Sequence, residues 1–218
     1  MSNGYTLVVG TKNWSSWSLR AWLALRATGA EFGEIVIPLR RPDSRDAIRR
    51  LARSDTVPAL HIHGAGATET VVDSLAICET LAERHPEAKL WPESAAARAQ
   101  ARSIGAAMHS GFAALRATLP MEFARRLPTP EPSEQVRDEI ARIARYWGNA
   151  LGCAGEGGFL FGRFSIADCM YAPVVSRFRT YGITLDPPLD AYCSRVSDLP
   201  AMQDWLAAAQ REVEDGLP

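Results

Sequence analysis

The chain has 218 residues, 47% of them hydrophobic, and a formal net charge of −1. That length suits one large domain or two small ones with an ordinary packed core. The balanced charge gives no global field toward nucleic acid or an anionic membrane, and no apolar run approaches the roughly 18 residues of a membrane span.

The opening "MSNGYTLVVG" lacks a basic region followed by a long apolar stretch, so no secretory signal is expected. Within it, "YTLVV" (5–9) reads as a short apolar strand. Residues 16–28 carry helical spacing through Leu19, Trp22 and Leu23, with Gly29 as the stop. "EIVIPL" (34–39) reads as a second strand, ended or held at an edge by Pro38. "DSRDAIRRLARS" (43–54) offers an Asp or Ser cap and a helix. In "VPALHIHGAGATETVV" (57–72) two β-rich runs flank a turn, which reads as a hairpin. "DSLAICETLAERH" (73–85) then places Leu75, Cys78, Leu81 and Ala82 on one helical stripe. The order β-α-β-α-β-β-α implies a mixed sheet with a parallel start and an antiparallel finish.

Prolines 86 and 92 mark a change of character. Beyond them the chain reads as helix and loop. Residues 94–118 form one long alanine- and arginine-rich helical run. Residues 133–151 set Val136, Ile140, Ile143, Trp147 and Leu151 on one face behind Ser133 as N-cap. Further helices are expected near 165–181, 190–197 and 201–214. The fold class is therefore α/β plus all-α: a first domain over 1–85, a linker over 86–97 and an all-helical domain over 98–218.

Several local signals carry chemistry. The serines of "NWSSWSLRAW", Ser15, Ser16 and Ser18, stand at the leading edge of the first helix, where a hydroxyl either caps the helix or meets a bound anion. Val57-Pro58 precedes a strand; a cis bond there leaves the Val57 backbone open to pairing with an extended peptide. Asp73-Ser74 stands at a strand-to-helix junction, as a cap or as a carboxylate-binding helix start. In "FGRFSIAD" (161–168), Ser165 and Asp168 have capping-box spacing, and Phe164 and Cys169 have that of a hydrophobic staple. No GxSxG elbow surrounds a serine. Cys78, Cys153, Cys169 and Cys193 form no CxxC pair, so reduced, mostly buried thiols are expected. His61 and His63 face one way on a strand, but no nearby ligand completes a metal site. Trp14, Trp17 and Trp22 are expected to pack between sheet, helix and second domain rather than to stack on bases.

In this order and layout the signals resemble the cytosolic glutathione transferase superfamily. "SSWSLR" is similar to the "SSCSWR" segment of its zeta class, with Trp17 in place of the cysteine. The resemblance implies a thioredoxin-like βαβαββα domain followed by a helical domain, glutathione as co-substrate, a small electrophilic substrate and a cytoplasmic homodimer. It implies Ser15, with Ser16 as the alternative, as hydroxyl donor to the glutathione sulfur. Val57, beside Pro58, would pair with the cysteinyl part through its backbone. Asp73 and Ser74 would hold the γ-glutamyl end. Thr56 stands where a longer polar residue is usual. Arg40, Arg41 or Arg53 would meet the glycyl carboxylate. The electrophile would lie between the domains against Met108, Phe112 and Arg116, taken as one helical face at i, i+4 and i+8, with His109 nearby. The zeta-like opening suggests cis–trans isomerisation of an unsaturated dicarboxylic acid such as maleylacetoacetate. The other reading is a silent member of the fold that binds ligands or partner proteins. The missing cysteine argues against thiol-reductase chemistry.

Overall fold

The computed structural model describes residues 4–217. The first three residues of the segment read for a secretory signal, and Pro218 at the end of the expected helical domain, lie outside them. Strand β1 (Tyr5–Gly10) leads into α1 (Ser16–Thr28), β2 (Phe32–Ile37), α2 (Ser44–Ala52), β3 (Ala59–His63), β4 (Thr68–Val72) and α3 (Ser74–Arg84). The sheet order is β2-β1-β3-β4, with β1 parallel to β2 and antiparallel to β3, and β3 antiparallel to β4. This is the mixed sheet that the alternation of elements implied, in the thioredoxin-like order that the resemblance implied.

Local chemistry sets the boundaries. Gly29 ends α1 at φ 75, where only glycine sits without strain, and returns its N–H to the Arg26 carbonyl. β2 runs two residues earlier than the sequence suggests. Pro38 follows its last residue, and the chain leaves the ladder with the Leu39 N–H on Thr11 Oγ1 at 2.8 Å.

A 3₁₀ turn at Pro86–Ala88 leads to α4 (Ala95–Ser110), α5 (Ala113–Thr118), α6 (Glu134–Gly152), α7 (Ile166–Tyr181), α8 (Pro187–Ser197) and α9 (Pro200–Glu214). The expected continuous helix over 94–118 is broken. Gly111 is extended and Phe112 takes φ 61, so α4 ends and α5 starts on a new axis. Glu139 of α6 accepts the Leu115 N–H at 2.7 Å and so satisfies a donor at the start of α5.

β1 alternates as a strand buried on both faces. Leu7 and Val9 join α1, α3 and the helical domain in one core, whereas Val8 packs with Ile37, Ile48, Ala52 and Ala59 beneath α2. α1 packs on both α3 and α7, so the two domains share the main core. Trp147 anchors the helical part edge-on against Tyr171 at 5.6 Å and Tyr192 at 4.9 Å. No helix among the described residues is long and apolar enough to cross a membrane.

Candidate active site

The site lies where β1 turns into α1, facing the helical domain. Ser15 is the N-cap: its Oγ accepts the Ser18 N–H at 3.4 Å and lies 2.7 Å from Ser18 Oγ, which in turn accepts the Gly10 N–H at 3.1 Å. Ser15 and Ser16 are both buried, and the first turn of α1 holds no acidic residue to cancel its partial positive charge.

The Val57-Pro58 bond is cis, and the β3 ladder begins at Ala59, leaving Val57 outside it. Thr56 is exposed, its N–H on Ser54 Oγ at 3.3 Å. Asp73 caps α3, with Oδ1 accepting the N–H groups of Leu75 and Ala76 at 2.8 and 3.2 Å. It does so at φ 77, a conformation that costs a non-glycine residue about 1–3 kcal/mol. Its Oδ2 lies 3.2 Å from His109 Nε2 of α4, a contact that bridges the domains. Among the described residues, Ser74 Oγ is buried without a hydrogen-bond partner beside this helix start.

Met108 and Phe112 do not form the expected open wall. Both are fully buried in the core, because the break at Gly111 turns Phe112 inward beneath the Arg142 guanidinium at 4.1 Å. Arg116 stays half-buried, donates to the Met108 carbonyl at 3.2 Å and reaches the Trp17 ring at 5.4 Å. Trp17 is half-buried, with His109 edge-on at 5.2 Å and Arg20 over its face at 4.4 Å. Arg20 is wholly buried, and among the described residues none of its three guanidinium nitrogens has a hydrogen-bond partner. Burial pulls its pKa down to about 9, and the charges of Arg177 and Arg116 add to the effect. It remains a cation at neutral pH. Arg177 of α7 is buried too, but bonds the Leu119 and Pro173 carbonyls at 2.8 and 3.0 Å.

Arg177 and the role of Trp17 escaped the sequence reading. A lone arginine in the apolar run "YAPVVSRF" was the available signal for the first. The histidine pair on β3 is otherwise employed: His61 Nε2 meets the Leu51 carbonyl at 2.7 Å, its Nδ1 lies 3.0 Å from Thr70 Oγ1, and His63 lies between Thr6 and Thr68. Of the cysteines, Cys78 and Cys169 are buried, Cys193 is partly so and Cys153 is exposed.

A thioredoxin-like sheet with a cis-proline turn and a capped serine cluster, docked on a helical bundle through one core, defines a two-domain class. The chain belongs to the glutathione S-transferase family: the N-terminal domain model of that family matches residues 14–84 and the C-terminal domain model residues 95–208. It is 30% identical over 97 residues to a probable maleylacetoacetate isomerase of Caenorhabditis elegans, a match that spans 44% of this chain and 42% of that protein. A maleylacetoacetate isomerase from Anaeromyxobacter dehalogenans, solved with dicarboxyethyl glutathione and citrate in its active site, is 27% identical over the whole of both chains with a TM-score of 0.66. Glutathione transferase Omega 2S from Trametes versicolor shares the fold at a TM-score of 0.75 and 22% identity, covering 99% of each chain.

Proposed function

We propose that this protein is a serine-type glutathione transferase acting on a small dianionic electrophile. Of such reactions, cis–trans isomerisation of an unsaturated dicarboxylic acid of the maleylacetoacetate type fits the site best. The observation that carries the reading is the arginine group. An unpaired buried guanidinium is costly: among the described residues no carboxylate hydrogen-bonds Arg20, and the charge of Asp73 acts on it only at a distance and less strongly than the repulsion of Arg177 and Arg116. A substrate carboxylate entering beside Trp17 would supply that partner, and Arg116 would meet a second one. The likeness to the isomerases of Caenorhabditis elegans and Anaeromyxobacter dehalogenans supports the same substrate class.

Bound glutathione would supply a thiolate that adds to one alkene carbon, permits rotation about the resulting single bond and leaves with its electron pair. The chain's own groups set up that chemistry. Ser15 Oγ donates to Ser18 Oγ at 2.7 Å; because a hydroxyl proton rotates freely, Ser18 would take over as donor to Ser15 when the Ser15 proton turns to a sulfur. That bond and the start of α1 both favour the charged form of the thiol. Val57, outside the ladder, offers its backbone to the cysteinyl part, beside Pro58 and the short-reaching Thr56. Ser74 and the start of α3 receive the γ-glutamyl carboxylate, with Asp73 for the ammonium. Among the three candidate arginines, Arg40 is the one stacked on Trp14, at 4.0 Å, next to the serine cluster; we assign it the glycyl carboxylate. Trp17, His109 and Arg116 line the electrophile side in place of Met108 and Phe112. By the same reading the protein works in the cytoplasm as a homodimer.

The test is the ultraviolet absorbance of bound glutathione thiolate against pH. The Ser15→Ala protein should ionise the thiol about two pH units higher than the parent, equivalent to roughly 2.7 kcal/mol, while Ser16→Ala shifts little. A shift in Ser16→Ala alone transfers the role to Ser16. No thiolate near neutrality in the parent rejects the enzyme and leaves a silent ligand-binding member of the fold.

A further inference from the structure

The loop that presents the serines is held from outside its own domain. Asn13, two residues before Ser15, is fully buried, and each of its four polar groups has a partner in the helical domain. Its backbone N–H donates to Glu212 Oε2 at 3.2 Å and its carbonyl accepts the Phe123 N–H at 3.0 Å. Its side-chain Nδ2 donates to Glu122 Oε2 at 2.8 Å, and its Oδ1 accepts the Ala124 N–H at 2.9 Å. On either side the same carboxylates act again. The Lys12 N–H donates to Glu212 Oε2 at 2.6 Å, and Trp14 Nε1 donates to Glu122 Oε1 at 2.9 Å. Trp205 of α9 adds a bond from its Nε1 to the Lys12 carbonyl at 2.9 Å.

The capping serine is tied directly to this loop. The Ser15 and Trp14 N–H groups both bond the Thr11 carbonyl, at 2.8 and 3.0 Å, and the Ser16 N–H bonds the Trp14 carbonyl at 2.9 Å. A shift of Lys12–Trp14 therefore carries the Ser15 hydroxyl with it. Burying carboxylates for this purpose is expensive; a core of apolar side chains would close the same interface more cheaply. Two acidic residues, one before α6 and one at the end of α9, converge on three consecutive residues, and that convergence points to placement of the loop.

We propose that Glu122 and Glu212 are positioning residues for thiol activation: through Asn13 and its neighbours they fix Ser15, so the hydroxyl is aligned only when the helical domain is docked. This rests on the serine-type reading above. A hydrogen-bond donor displaced by a fraction of an ångström loses much of its preference for a thiolate, whereas the pocket for the rest of the tripeptide, built on Val57 and α3, is untouched. The pH of thiol ionisation should therefore move while the affinity for glutathione changes little.

The experiment uses full-length parent, Glu122→Ala, Glu212→Ala and Glu212→Gln. Amide hydrogen exchange at Lys12 and Asn13 reads the hold on the loop, and thiolate absorbance with bound glutathione reads its consequence. Each alanine variant should exchange those amides at least about tenfold faster and ionise the thiol about one pH unit higher, with the glutathione dissociation constant within about threefold of the parent's. Glu212→Gln keeps an acceptor, so it should recover about half of the shift, and it is read in the same way if Glu212→Ala does not fold. Faster exchange with ionisation curves that overlay the parent's overturns the proposal, as does unchanged exchange. A parent that forms no thiolate overturns it together with the serine-type reading, which the parent's own curve makes distinguishable.

Discussion

An Arg20→Met protein is expected to be more stable than the parent and to turn over a dianionic substrate less well. The stability half follows from the unpaired guanidinium. Arg20 is buried with its Nε and both Nη atoms unpartnered among the described residues, and the repulsion of Arg177 and Arg116 outweighs the attraction of Asp73. With its pKa lowered only to about 9, it carries that charge at neutral pH. Methionine has similar reach, no charge and enough flexibility to fill the space beside Trp17. Replacing buried charge with apolar volume commonly gains roughly 1–4 kcal/mol, and a gain in that range is expected from urea unfolding at neutral pH. The functional half separates substrates. The KM for an unsaturated dicarboxylate should rise at least about tenfold, which is about 1.4 kcal/mol of lost binding, while turnover of a neutral aryl halide with glutathione stays within about twofold. If the variant is less stable, or if both substrates suffer equally, Arg20 serves the fold and the dianion reading loses its main support.

Much of the fold was legible because it is written locally. The stripe from Val136 to Leu151, the cap at Ser133, the stop at Gly29 and the Ser165–Asp168 box are short-range patterns, and each sits where periodicity and cap chemistry put it. The break at Gly111–Phe112 was illegible for a tertiary reason. Gly111 is a weak local stop, but Gly105 in the same run stays helical, so glycine alone does not mark the break, and the second start is supplied by Glu139 from another helix. The site divides in the same way. Ser15, the cis Val57-Pro58 bond and Asp73-Ser74 are local motifs. Asn13, Glu122 and Glu212 look like ordinary surface polars in sequence, because their meaning depends on partners 109 and 199 positions apart. Arg177 becomes meaningful only when the Leu119 and Pro173 carbonyls and Arg20 are seen around it.

The largest loss of stability is expected at Asp168. This carboxylate is fully buried and collects three donors: the Leu160 N–H at 3.1 Å on Oδ1, and the Ser165 N–H and Oγ–H at 2.8 and 2.9 Å on Oδ2. It thereby closes the loop before α7 onto the helix that carries Arg177. Asp168→Ala strands all three donors in the interior, and a cost of about 3–5 kcal/mol is expected at neutral pH. Asp168→Asn keeps one acceptor and should lose less. The pH dependence has a definite sign. Burial raises the Asp168 pKa from 3.8 to about 6, although the donors favour the charged form. Between those values the folded protein holds a proton that the unfolded chain has released. Stability from this group is therefore full below about pH 4 and falls as pH rises through 6, by about 3 kcal/mol in total. The alanine variant lacks that slope, so the gap between it and the parent should be wider at pH 5 than at pH 8 in chemical unfolding. A gap that widens toward pH 8 instead would mean that the three donors outweigh burial and that the carboxylate is held ionised in the folded state.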